Sequence, residues 1–191
     1  MKKQLHPSTI GTVTPLGIIG TCNEDGSADV MAVAWCGFCS ITPPAFMVAL
    51  NEERLTLKNI LREKEFTVGF PGEAQMVQAD YTGMVSGKKA DKVAGAKLTV
   101  ERAHTVNAPV VTDFPVTIEC RCVQTVKEGK HTIIIGEILN VLADEDVLDE
   151  KDMIDVVKAK LFTYDPGRNL YFSIGAECGK AFYEGAALLK Q

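Results

Sequence analysis

Short apolar runs rich in β-branched residues and separated by turn residues dominate the chain, while helical spacing recurs in only a few stretches. Leu16–Thr21 reads as a strand closed by the turn Asn23-Glu24-Asp25-Gly26. Ala28–Cys36 and Phe46–Leu50 read as a second and third strand. Between them Pro43-Pro44 withholds backbone donors, which predicts a rigid loop. In Arg54–Lys64, Leu57, Ile60 and Leu61 recur at helical spacing; Phe66–Phe70 is then a strand stopped by Pro71-Gly72. Glu73–Tyr81 reads as helical, and Ser86–Gly95 as a loop with one helical turn. Pro115–Val126 and His131–Leu142 are two long β-rich runs around Lys127-Glu128-Gly129-Lys130, which predicts a hairpin. Asp149–Lys160 carries Met153, Val156 and Val157 on one helical face. Leu161–Tyr164 and Leu170–Ile174 flank a turn at Asp165-Pro166-Gly167.

Strands therefore outnumber helices, and the two do not alternate regularly. This disfavours a doubly wound parallel sheet and predicts a mainly β, antiparallel barrel or sandwich with peripheral α-helices. No repeat, low-complexity segment or linker divides the chain, so residues 1–191 are expected to form one domain, with 1–14 as an N-terminal extension. With 191 residues, 46% of them hydrophobic and 24% charged, the composition excludes disorder. A net charge of −5 argues against nucleic acid or an anionic membrane as partner. No apolar run approaches the ~18 residues of a membrane span. Lys2 and Lys3, followed later by Leu16–Ile19 and Cys22, imitate a lipoprotein signal, but Pro7, Ser8, Thr9, Thr12, Thr14 and Pro15 break up any apolar segment. A cytoplasmic chain is expected, where disulfides are rare.

Neither a G-x-G-x-x-G turn nor a phosphate-binding G-x-x-x-x-G-K-[ST] loop occurs, and no serine sits in a nucleophile elbow. Cys36-Gly37-Phe38-Cys39 has the spacing of a redox or zinc knuckle. Cys120-Arg121-Cys122 is its only conceivable partner, and strand alternation puts those two cysteines on one face beside Val116 and Ile118. Small buried hydrophobes are the plainer reading, and no metal is expected. His6 and His104 fall in polar segments. His131 opens the second strand of the long hairpin, where it is either a surface residue beside a turn or a ligand contact. The acidic run Asp144-Glu145-Asp146, then Asp149-Glu150, lacks the spacing of a calcium loop and suits a solvated helix start. Arg54-Leu55-Thr56 opens a helix, with Thr56 read as its N-cap. An arginine beside free helical amides is suited to a phosphate, and Ser86-Gly87-Lys88-Lys89 with Asp91-Lys92 forms a cationic loop able to close over it.

Set in order, these segments resemble the flavin-reductase-like, FMN-binding split-barrel family, and within it the flavoredoxin group. Val30–Phe38 followed by Pro43-Pro44 is similar to its flavin-contacting strand and loop. Arg54-Leu55-Thr56 through Asn59-Ile60, then Glu65–Val68, resembles the next segment. Ala79-Asp80-Tyr81, Gly83, Ser86-Gly87 and Asp91-Lys92 resemble the one after, and Ile135–Ile138 and Tyr164–Gly167 also fit. The resemblance implies an antiparallel split barrel, usually a homodimer with FMN near the subunit interface.

It further implies that Met31, Ala32, Val33 and Ala34 offer backbone groups to the polar edge of the isoalloxazine, with Trp35 and Cys36 beside the ring system. Arg54, Leu55 and Thr56 would hold the phosphate, Ser86, Gly87 and Lys92 would complete its pocket, and His131 and Tyr164 would stand near the flavin. Asp29 replaces a commoner asparagine and would put a negative charge or an altered hydrogen bond close to the cofactor; Gly69 replaces another. The expected function is an FMN-dependent redox protein that carries electrons between protein partners. A reductase taking hydride from NAD(P)H, a non-catalytic flavin store or sensor, and a barrel that has lost its cofactor are the alternatives. No single catalytic side chain is identified.

Overall fold

The structure is a computed structural model describing residues 1–8 and 12–189; Thr9, in the N-terminal extension, lies outside them. In chain order the strands are β1 (Thr14–Pro15), β2 (Gly17–Cys22), β3 (Ala28–Val33), β4 (Cys36–Ile41), β5 (Pro44–Asn51), β6 (Glu65–Phe70), β7 (Val100–Arg102), β8 (Pro109–Val111), β9 (Val116–Glu128), β10 (His131–Ala143), β11 (Phe162–Asp165) and β12 (Leu170–Ser173). Helix α1 (Leu55–Glu63) follows β5; α2 (Met76–Met84) and α3 (Lys92–Ala96) follow β6. Seven strands make one antiparallel sheet in the order β3-β2-β6-β9-β10-β5-β4. β3 and β4, neighbours in sequence, are thus its two opposite edges. The sheet nonetheless curls on itself, because Met31 and Val33 of β3 share a core cluster with Cys36 of β4, closed by Phe46, Phe66, Ile118 and Ile134. This is the expected mainly β, antiparallel split barrel.

Both faces of β2 and β3 are covered, which explains their near-continuous apolar runs. Successive side chains point to opposite faces. Ile19 and Met31 enter the barrel core, while Ile18 and Val30 pack outside it with Ala79 of α2, Ala96 of α3 and Phe162 of β11. A three-stranded sheet, β1-β11-β12, lies on that outer side, tied to α2 by the Tyr171 hydroxyl, which donates to Asp80 at 2.7 Å. The long hairpin forms as expected, with irregular register at Ile135/Gly136 and Ile138/Asn140. At the first of these a Cβ on Gly136 would stand 2.5 Å from the Phe66 ring, so the strand can pass the core there only as glycine.

Three expectations are corrected. The segment joining the second and third strands is itself a strand, β4, paired with β5 in a hairpin across Thr42-Pro43. Residues 149–160 form turns and isolated bridges rather than a helix. Asp149 accepts the amides of Lys151 and Met153, and Asp155 those of Val157 and Lys158, so carboxylates take donors that a helix would need. Leu61 is exposed, whereas α1 buries Thr56 and Asn59 with Leu57 and Ile60.

Glu119, on β9, is fully buried. Its carboxylate accepts the amides of His104 (3.0 Å) and Thr105 (2.6 Å), the Thr105 hydroxyl and the Asn140 amide, pinning the β7–β8 connection to the barrel. Burial pushes its pKa up, but these donors outweigh it and hold the group below the usual carboxylate range. A depressed folded pKa contributes stability that is complete above the unfolded value, near 4.3, and is lost as pH falls through the folded value. Glu119→Gln should therefore lower unfolding stability by about 1–3 kcal/mol at neutral pH. In urea titrations its difference from wild type should shrink as pH is lowered from 6 towards 3.

Candidate functional site

The helix α1 starts earlier than the sequence indicates. Asn51 ends β5 and turns the chain: its carbonyl accepts the Arg54 amide at 3.1 Å, and its side chain accepts the Glu53 amide at 3.0 Å. Arg54, with φ −73° and ψ 134°, is consequently the N-cap, and no side chain among the described residues caps it. Thr56 is not the cap. It lies within the first helical turn, buried, and its hydroxyl donates to Asp29 Oδ2 at 2.5 Å. The amides of Leu55, Thr56 and Leu57 precede the first intrahelical bond and point out of the helix, where they favour an anion.

These amides open on a cavity of about 500 Å³. Met31 of β3 lines it, as do Asn51, Glu53, Arg54, Leu55 and Thr56 around the helix start. Val85, Ser86, Gly87 and Lys88 line it from the loop after α2, with Lys92 at the start of α3 and His131 at the start of β10. Sequence segments far apart thus meet as expected, and three cationic side chains, Arg54, Lys88 and Lys92, face one carboxylate, Glu53. Asn51, Glu53 and Val85 were not anticipated; only the Asn-led turn ahead of the helix hinted at the first.

Lys92 is buried, and its Nζ stands 3.0 Å from Asp29 Oδ1, with side-chain exposures of 3% and 2%. Burial holds the Lys92 ammonium below its usual range, and Arg54 adds to this, while Asp29 pulls the other way. The Asp29 charge is therefore answered inside the protein by Lys92 and Thr56. Gly87 packs so closely on the same carboxylate that any Cβ there would collide with it.

Other expected site residues are placed differently. Ala32 and Ala34 are half-buried against the outer core, and Val33 points into the barrel. Because β3 is an edge strand, half of its backbone donors and acceptors face away from β2. Trp35 is exposed between the two edge strands, its carbonyl accepting the Ala49 amide. The Cys36 side chain turns inward, with Sγ 3.6 Å from the Val33 carbonyl oxygen, and burial pushes its thiol up to about 12. Burial does the same to Cys120, also to about 12. Tyr164 lies away from the cavity in β11; its hydroxyl donates to Asn169 at 2.5 Å and its ring leans on Tyr171. Among the described residues no three metal-ligating side chains gather, and no helix is long and apolar enough to cross a membrane.

A cavity walled by a helix N-terminus, an arginine and two lysines should take an inorganic anion. At phosphate concentrations a few times its dissociation constant, ligation contributes about 1 kcal/mol. The melting temperature should accordingly rise by about 2–4 °C, and Arg54→Ala should abolish most of that rise in differential scanning fluorimetry at constant ionic strength.

Three comparisons place this geometry among known proteins. Flavoredoxin of Desulfovibrio vulgaris (Miyazaki F) superposes with a TM-score of 0.93 at 35% identity, over 97% of this chain and 100% of that one. A flavoredoxin from Methanosarcina acetivorans superposes with a TM-score of 0.91 at 26% identity, over 98% and 100% of the two chains. An FMN reductase (NADH) of Pseudomonas syringae pv. syringae is 24% identical over 135 residues, 69% of this chain and 71% of that protein. The match that decides membership spans residues 10–167, which take in the barrel and every wall of the cavity: the chain belongs to the flavin reductase like domain family.

Proposed function

We propose that this chain is an FMN-binding redox flavoprotein of the flavoredoxin type, an oxidoreductase that carries electrons through FMN held in the cavity at the start of α1. The observation that carries this reading is the cavity itself. It sets a cationic, amide-lined end formed by Arg54, Lys88, Lys92 and residues 55–57 close to an edge strand with unpaired backbone groups. At about 500 Å³ it falls within the range of about 300–1,000 Å³ usual for small-molecule sites. Its chemistry fits FMN, which needs cations and free amides for a phosphate, backbone donors and acceptors for a pyrimidine edge, and apolar walls for a benzenoid edge.

In this reading Arg54 and the amides of Leu55, Thr56 and Leu57 hold the phosphate, with Ser86, Gly87 and Lys92 closing the pocket. The outward backbone of residues 31–34 orients the polar edge, and Met31, Leu55 and Val85 supply apolar surface. FMN, when bound, supplies the one- and two-electron chemistry, and the chain supplies binding, orientation and electrostatics. Trp35 and Tyr164 enter the proposal on family resemblance alone, as does the homodimer with FMN near its interface. Cys36 enters through its backbone, since its thiol is in the core. A second reading is a reductase that takes hydride from NAD(P)H, favoured by the similarity to an FMN reductase (NADH).

The visible spectrum of the purified protein, taken anaerobically before and after NADH or NADPH, tests these readings. Flavin bands that persist with nicotinamide but bleach on dithionite are expected for the carrier, with electron exchange with a redox protein distinguishing it from a store. Rapid bleaching by nicotinamide favours the reductase, and absence of flavin bands after incubation with FMN and desalting would refute a tightly held cofactor. Lys92→Ala removes a cation and leaves Asp29 with only the Thr56 hydroxyl to answer its charge beside the phosphate. It should weaken FMN binding by about 1–3 kcal/mol, measured by quenching of flavin fluorescence.

A further inference from the structure

The cavity at the start of α1 does not end at open solvent on every side. Behind it lies a second cavity of about 420 Å³, and the two share Gly87 and Lys92 as lining residues. Asp29 lines the second cavity, yet it accepts the hydroxyl of Thr56, which lines the first. The partition between them is thus a knot of four residues from four places in the chain: Asp29 on β3, Thr56 on α1, Gly87 on the loop after α2, and Lys92 on α3. One Asp29 oxygen holds the Lys92 ammonium at 3.0 Å, the other holds the Thr56 hydroxyl at 2.5 Å, and Gly87 fills the remaining space with no room for a side chain.

The two sides of this partition differ in charge. Lys92 lines both cavities, and its ammonium is paired with Asp29. Beyond that pair the first cavity presents Arg54 and Lys88 against Glu53, and the second presents Asp25 and Asp91 with no further cationic side chain among its lining residues. A phosphate monoester ending at the partition meets cations. A diphosphate continuing through it would meet a closed wall, and beyond the wall a surface that repels its second phosphate.

We infer that the Asp29 knot makes the site selective for a flavin mononucleotide over a flavin dinucleotide. Asp29 acts as a positioning residue, setting Thr56, Lys92 and Gly87 as an end wall behind the phosphate. This rests on the FMN reading above. It goes further in assigning a function to Asp29, a buried acidic residue which on charge alone would oppose an anionic ligand.

The test is the ratio of dissociation constants for FMN and FAD, read by quenching of flavin fluorescence on the apo-protein, with riboflavin as the phosphate-free probe. Wild type is expected to bind FMN at least tenfold more tightly than either FAD or riboflavin. Asp29→Ala, which opens the wall and frees Lys92, should bring the FMN-to-FAD discrimination below threefold. Asp29→Asn keeps the shape and can still accept from Lys92, so it should restore most of the discrimination. A wild-type FMN preference over FAD below tenfold would overturn the proposal, as would an undiminished preference in Asp29→Ala. Should circular dichroism show that Asp29→Ala does not fold, Thr56→Val loosens the same wall by removing one hydroxyl. It is expected to cut the discrimination at least threefold, and an unchanged ratio overturns the proposal. Failure of wild type to bind any of the three flavins refutes the flavin reading itself, and riboflavin binding as tight as FMN refutes the phosphate placement. Both outcomes are distinguishable from a failed wall.

Discussion

A carboxylate with 2% of its side chain exposed cannot remain charged without partners, and the arrangement around Asp29 follows from that requirement. Lys92 and Thr56 reach it from two helices, and the backbone of Gly87 closes over it. Such a pair adds little net stability, because desolvating two charges offsets most of their attraction. It contributes geometry instead. Val93 and Ala96 already seat α3 on the outer core with Val30, and the ionic contact adds a fixed position for Lys92 and the neighbouring loop against β3. The cationic end of the cavity is held in shape by this contact.

The curled sheet supplies the other half of the site. β3 and β4 occupy opposite edges yet meet through Met31, Val33 and Cys36 in one core, so the barrel closes by side-chain packing along the seam and not by a hydrogen-bonded ladder. That leaves an edge of β3 with polar backbone beside apolar side chains. Most proteins must cover or blunt such an edge; here it adjoins a cavity, where an extended strand can offer donors and acceptors in fixed register. The site is therefore built from two kinds of exposed backbone: the free end of a helix and the free edge of a sheet.

Much of this was legible in the sequence because local chemistry and tertiary packing agree. The long hairpin is announced by β-branched runs around Glu128-Gly129, and α1 by its spacing of Leu57 and Ile60. Disagreement marks where legibility failed. β4 carries Phe38, Ser40 and Ile41 largely exposed, with no alternation to reveal it, and is a strand only because β5 offers it a ladder. Residues 149–160 have a helical apolar pattern, but the carboxylates of Asp149 and Asp155 take the amides first. Thr56 looked like a cap because hydroxyls usually are at helix starts; its true partner, Asp29, belongs to another strand, and no spacing rule links the two. The residues gathered at the cationic end of the cavity are legible by resemblance and by charge. The pairing of Asp29 with Lys92 and Thr56 that orders them joins three elements distant in sequence.

The curled core also sets two of the six cysteines chemically apart from those at the surface. With thiols raised to about 12, Cys36 and Cys120 are thiolate in on the order of one molecule in 10⁵ at neutral pH. Since only the thiolate attacks a disulfide or an electrophile, these two atoms behave as hydrocarbon filling. Cys39, three residues further along β4 than Cys36, and Cys178 near the C-terminus are exposed to solvent. An alkylating reagent would thus reach Cys39 and Cys178 and leave Cys36 and Cys120 unmodified, so thiol chemistry is kept out of the barrel interior.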